Sequence, residues 1–194
     1  MDFTKRQLEI IEKATILIGE KGIQNLTTKN LAEKMSFSEP ALYRHFKNKT
    51  EILNSVLLFY KMQLKNKLTQ ILKQEIIEIE KIKQMMTFQF KHFSENPAVI
   101  MVIFSETSFQ FNNELSKTVH QILLQKKKMV EIMIEKGQEN KNIRTDISPT
   151  QLTTMIMGSM RFLILRWRLS NYEFDLKKEG KDLWETVEKL IKIP

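Results

Sequence analysis

Between Thr28 and Lys49 the chain gathers side chains suited to gripping a polyanion. Thr28, Ser38 and Tyr43 carry hydroxyls, Lys29, Arg44 and Lys49 carry positive charge, and His45 offers an imidazole donor. The spacing of Thr28 to Phe46 gives two short helices joined by a turn of about four residues, with Lys49 just beyond them. In the first helix Leu31 and Met35 recur at i, i+4, and Ala32 is small enough for a close crossing. Thr27 or Thr28 can accept from its first free backbone N–H groups. Ser38 caps the second helix in the same way, and Pro40 falls near its first turn, where a missing N–H costs nothing. Leu42 and Phe46 form the buried edge of that helix. Ala41, Tyr43, Arg44 and His45 then lie on or beside its outer face. This plan fits a helix into the major groove of DNA.

Other chemistry is thinly supplied. The three histidines, His45, His92 and His120, form no ligand pair with one another or with a carboxylate cluster, so no metal site is expected. There is no cysteine, no glycine-rich phosphate loop, no nucleophile elbow and no HExxH pattern. The chain is not read as an enzyme, and no cofactor is expected.

The elements that must position the 28–49 stretch are helical. Hydrophobic residues make up 42% of the 194 residues, with only 5 Gly and 4 Pro, which suits short connections between helices. Net charge +8 favours polyanions without naming one. The apolar run 155–165 is too short for a membrane span and is interrupted by Arg161. The N-terminus mixes charges through its apolar positions and has no signal-peptide core. These features predict a soluble, cytoplasmic protein with no membrane partner.

In order, 4–20 is an amphipathic helix with Leu8, Ile11, Ala14, Thr15 and Ile18 on one stripe, stopped by Gly22. Basic Lys5 and Arg6 open it, either as a solvated basic terminus or as a phosphate contact. A long helix runs from Lys49 towards Glu75, its free N–H groups favouring a phosphate. Helices follow over 81–94 and, after the Asn96–Pro97 break, over 98–104. Residues 105–113 connect, with Phe109 and Phe111, to a helix over 114–139. Within it Lys126–Lys128 is read as a solvated face, the alternative being a contact to a lipid headgroup or an acidic ligand. Met86, Phe90, Phe93, Met101, Phe104 and Met133 offer apolar walls that suit either a core or a pocket for an apolar ligand. After Ser148 and Pro149 a helix through 152–169 is apolar all round, and 179–193 carries a second apolar stripe. One chain alone is poorly supplied to cover both, the alternative being intrachain packing only. Pairing with a second copy through Leu152, Ile156, Ser159, Leu163 and Trp167, with Trp184, Val187, Leu190 and Ile191, would give a four-helix interface.

Gly22, Thr27, Leu31–Ala32, Ser38 and Leu42–Tyr43–Arg44–His45–Phe46, followed by Lys49 and Leu53, resemble the N-terminal domain of TetR-family transcriptional repressors. Ser36 stands where that family usually has Gly in the turn, and Met35 where it has Ala. The resemblance implies an all-α fold: a three-helix helix-turn-helix DNA-binding domain over 1–48, then a helical effector-binding and dimerisation domain over 49–194. It places Thr28 and Lys29 at the DNA backbone, sets Ser38, Glu39, Pro40 and Ala41 at the groove, and lets Tyr43, His45 and Lys49 grip phosphate. It further implies a homodimeric repressor on a palindromic operator, released by a small apolar or amphipathic ligand. The alternative is a DNA-bound protein of the same fold that recruits a protein partner and has no small-molecule effector.

Overall fold

Helix starts in this protein are set by short polar side chains. The computed structural model describes residues 3–104 and 112–193. Thr4 opens α1 (Lys5–Lys21) with a capping box to Gln7, and Gly22, at φ 80°, closes it. After a 3-10 turn at Ile23–Asn25, Thr27 caps α2 (Thr28–Met35) and Ser38 caps α3 (Glu39–Tyr43). The Asn48 carboxamide accepts from the Glu51 N–H at 2.9 Å at the start of α4 (Lys49–Leu72). Then come α5 (Glu78–Glu95), α6 (Pro97–Ile103) and α7 (Asn113–Glu139). Ser148 and Gln151 form a second capping box ahead of α8 (Pro149–Leu169), with Pro149 at its first position. Asp175 accepts from the Lys177 and Lys178 N–H groups and starts α9 (Leu176–Ile191). Among the described residues these nine helices carry the fold without a strand, as expected for an all-α chain. Phe109 and Phe111 lie outside the described residues.

Two compact units divide the chain. The first comprises the described residues of Met1–Gln63 and Asn96–Ile122. Its core holds Ile10, Ile11, Ala14, Leu17 and Ile18 of α1 with Leu31, Leu42, Phe46, Leu57 and Ile100. Leu8, expected on the inner stripe of α1, is about one-third exposed, and Ile10 and Leu17 are buried. α1 crosses α6 so tightly that a Cβ on Gly19 would stand 2.5 Å from the Ala98 Cβ. A polar seam ties α4 to α7. Thr118 donates to Asn54 at 2.6 Å, Asn54 donates to Glu114 at 2.6 Å, and Lys61 donates to Gln121 at 2.9 Å.

The second unit comprises the described residues of Leu64–Glu95 and Leu123–Pro194. Here α9 packs on α5 and α8. A Cβ on Gly180 would come within 2.3 Å of the Phe90 ring, so this glycine is what lets the aromatic lie against α9. α5 begins at Glu78, three residues before its expected start. Glu78 is buried there and accepts from Asn140 at 3.1 Å and Asn142 at 2.8 Å, so distant residues extend the helix. The end of α9 is tied down by the Arg144 N–H, which donates to the Ile191 carbonyl at 2.9 Å.

Candidate nucleic-acid interface

The helix-turn-helix is held from beneath and left open above. Leu31, Ala32, Leu42 and Phe46 are buried and fix α2 and α3 on α1. Ser36 occupies the left-handed region at φ 57° and ends α2, and the Phe37 N–H returns to the Ala32 carbonyl at 2.9 Å. A serine there carries a backbone cost that glycine would avoid. The turn therefore keeps the left-handed geometry with a less favourable residue.

On the outer side, Lys29, Ser38, Pro40, Tyr43, Arg44 and Lys47 are exposed, and Thr28, Glu39, Ala41, His45 and Lys49 are half-buried. Hydrogen bonds arrange several of them. Thr28 Oγ1 donates to Glu39 Oε2 at 2.7 Å, and Tyr43 Oη donates to Thr28 Oγ1 at 3.4 Å. The Glu39 carboxylate is thus engaged by α2, which stiffens the crossing between the two helices. Gln7 Nε2 donates to the His45 carbonyl at 3.4 Å and anchors the end of α3 to α1. Lys49 sits in the first turn of α4, and burial lowers its pKa from the ordinary lysine value. Across 27–49 five basic residues (Lys29, Lys34, Arg44, Lys47, Lys49) stand against Glu33 and Glu39. Arg6 pairs with Glu9 at 2.6 Å on the surface and lies 5.1 Å over the Phe37 ring. Lys47 was not among the residues read as contacts. It is exposed in the loop before α4, where its N–H donates to Glu51 at 2.5 Å, and the Lys47–Asn48–Lys49 run was the signal. Such a surface can hold phosphates with hydroxyls and ammonium groups while a short helix meets base edges.

The sequence signature of bacterial regulatory proteins, tetR family, matches residues 10–56, and that of the YsiA-like protein C-terminal region matches 60–191. The chain belongs to the tetR family of bacterial regulatory proteins. It is 24% identical over 194 residues to nucleoid occlusion factor SlmA of Vibrio campbellii, covering 97% of each chain. The fatty acid degradation regulator FadR from Bacillus halodurans shares its fold at TM-score 0.84 and 18% identity, over 97% of each chain. FadR from Bacillus subtilis, solved in complex with stearoyl-CoA, matches at TM-score 0.81 and 19% identity, over 93% of this chain and 96% of that one.

In this TetR-family DNA-binding regulator the second unit distributes its apolar residues differently from the sequence expectation. Leu152, Ile156, Leu163 and Trp167 of α8 and Trp184, Val187 and Ile191 of α9 are buried within the chain itself. They were expected at an interface between copies and are instead spent on intrachain packing, because α9 folds back on α5 and α8. Ser159 is half-buried and Leu190 is exposed. Part of the apolar surface that remains among the described residues is another stripe of α8. Met155, Phe162 and Leu169 recur every seven residues, with Phe162 66% and Leu169 72% exposed. Gly158 on the same side has nothing within 4 Å of where its Cβ would be.

Of the six candidate effector residues, Met86, Phe90, Phe93 and Met133 are buried in the second unit, whereas Met101 and Phe104 belong to the first and are half-buried. Lys126, expected on a solvated face, is buried. The sequence carried this signal. Lys126, Val130 and Met133 follow one helical stripe, and the stripe points inward. Among the described residues no group of His, Cys, Asp and Glu is arranged to hold a metal ion, and no helix is long and apolar enough to cross a membrane.

Proposed function

We propose that the chain acts as a homodimeric transcriptional repressor on a palindromic operator and is released by a small apolar or amphipathic ligand. Residues 1–48 form the reading head, and 49–194 form the effector-binding and dimerisation part. The observation that carries this reading is the open cationic face of α2 and α3 above a buried hydrophobic floor. Thr28, Lys29, Tyr43, His45 and Lys49 hold phosphate, and Ser38, Pro40 and Ala41 approach the groove edge. Glu39, engaged by Thr28, orients α3.

Dimerisation proceeds through the outer stripe of α8 and the free side of α9. Met155, Phe162, Leu169 and Leu190 supply the apolar contact, and Gly158 and Ser159 permit close approach. Phe162→Glu with Leu190→Glu places two charges in that seam and is expected to give monomers that still melt cooperatively. Sedimentation at micromolar concentration checks this, and a persisting dimer would move the seam elsewhere.

Met86, Phe90, Phe93 and Met133 are proposed as the apolar surroundings of the ligand. The likeness to a regulator solved with stearoyl-CoA supports an acyl-like ligand. Full-length similarity to a nucleoid occlusion factor favours a second reading, a DNA-bound protein that recruits a protein partner. Organic extraction of the purified chain, followed by operator titration with and without the extract, separates them. An extracted compound that weakens operator binding supports the repressor, and DNA binding indifferent to every extract supports recruitment.

A further inference from the structure

The least expected residue of the second unit is a lysine. Lys126 lies on the inward stripe of α7 with Val130 and Met133, and all three are buried. Its Nζ donates to Gln89 Oε1 at 2.5 Å, joining α7 to α5. Gln89 is buried too, and along α5 it is flanked by buried Met86, Phe90 and Phe93. Arg161 of α8 adds a second positive charge nearby. Burial first, and Arg161 second, lower the Lys126 pKa to about 7.

An ammonium has three N–H groups, and a neutral carboxamide oxygen occupies one of them here. Among the described residues no carboxylate offsets the charge. Methionine or leucine at this position would suit the apolar stripe with no desolvation cost. A buried amine held by one neutral amide oxygen, beside Met and Phe side chains of the same unit, is a place where a ligand carboxylate can be held.

We propose that Lys126 and Gln89 bind the carboxylate head of an amphipathic ligand whose apolar part lies among Met86, Phe90, Phe93 and Met133. This rests on the reading of the second unit as the effector-binding part, and it adds which chemical class is held and by which atoms. The two carboxylate oxygens find two donors. Lys126 Nζ serves one, and the Gln89 amide N–H, freed to turn once the ammonium has an anionic acceptor, serves the other. A thioester or ester of the same chain presents no charge to this pair and gains less from it.

The test uses the full chain with dodecanoate and methyl dodecanoate as probes, titrated at neutral pH by the fluorescence of Trp167 and Trp184. The native protein is expected to bind dodecanoate at least about tenfold more tightly than the ester. Lys126→Met is expected to lose the preference, binding the two probes within about twofold of each other. Its melting temperature is expected to be no lower than that of the native chain, which shows that the loss is not unfolding. Should Lys126→Met melt early, Lys126→Gln must show the same loss of preference. Equal binding of the two probes by the native chain overturns the head-group assignment while leaving an apolar effector site in place. A preference that survives in both variants overturns it as well. If neither probe binds, the assignment falls, and the wider effector reading is then judged by the extraction experiment alone.

Discussion

The reading head and the α5–α7–α8–α9 unit are both helical, yet they are built on opposite rules. In the head, the caps act within a few residues of themselves and α2 meets α3 across one short turn, with Gln7 to His45 as the long-range tie. Thr27 caps α2, Ser38 caps α3, and Thr28 reaches Glu39 eleven positions away. In the second unit the deciding contacts join residues far apart. Gly180 makes room for Phe90, Asn142 holds Glu78, and Lys126 finds Gln89. Local rules place functional atoms on a surface, and long-range packing decides what a helix buries.

The largest test of that contrast is Gly180→Leu. A side chain there drives into the Phe90 ring, and the expected loss is about 3 kcal/mol, at the upper end for overpacking. Phe90→Ala in the same chain should recover part of it. Gly158→Leu on the open side of α8 should cost far less monomer stability, since nothing lies within 4 Å. Urea melts of the three variants check the set, and equal losses at the two glycines would erase the distinction between inner and outer faces.

A second test is the pH dependence of the buried lysine. Its pKa is about 7 in the folded chain and 10.5 as the ordinary value, so between these limits the unfolded state binds more protons. Stability from this group therefore rises with pH through that window, by up to about 1.4 kcal/mol per pH unit for one proton. Below pH 7 the charge penalty is fully present. Lys126→Met should be more stable than the native chain at neutral pH and should lose this rise, as melts across the window would show. Parallel curves for the two proteins would mean the ammonium is not desolvated.

Smaller again is Ser36→Gly, which removes a Cβ from a left-handed turn. It should stabilise the head by about 1 kcal/mol without changing the dimer. Hydrogen exchange localised to α2 and α3 would read it, and a neutral or negative effect would show that the serine hydroxyl repays its backbone cost. Smallest in free energy, Lys49→Ala should flatten the salt dependence of DNA binding by about one unit of slope.

These comparisons explain what the sequence could disclose. The caps at Thr27, Ser38 and Ser148, the Gly22 stop and the helix order were legible because they depend on neighbours in the chain. The side of α8 that faces inward was not legible, because apolar residues circle that helix. Only the return of α9 selects Leu152, Ile156, Leu163 and Trp167 for the interior, leaving Phe162 and Leu169 outside. Lys126 was misread because its charge outweighed its position. Helical spacing alone put it beside Val130 and Met133, but no local rule says that a lysine belongs there.

The central claim, that α2 and α3 read DNA, is tested most directly by selecting binding sites from random duplexes with the full chain. The native protein should enrich one palindromic sequence. A variant carrying Tyr43→Ala and Lys49→Ala, with an unchanged melting temperature, should enrich none. No enrichment by the native chain, or the same palindrome recovered with the variant, would contradict the account.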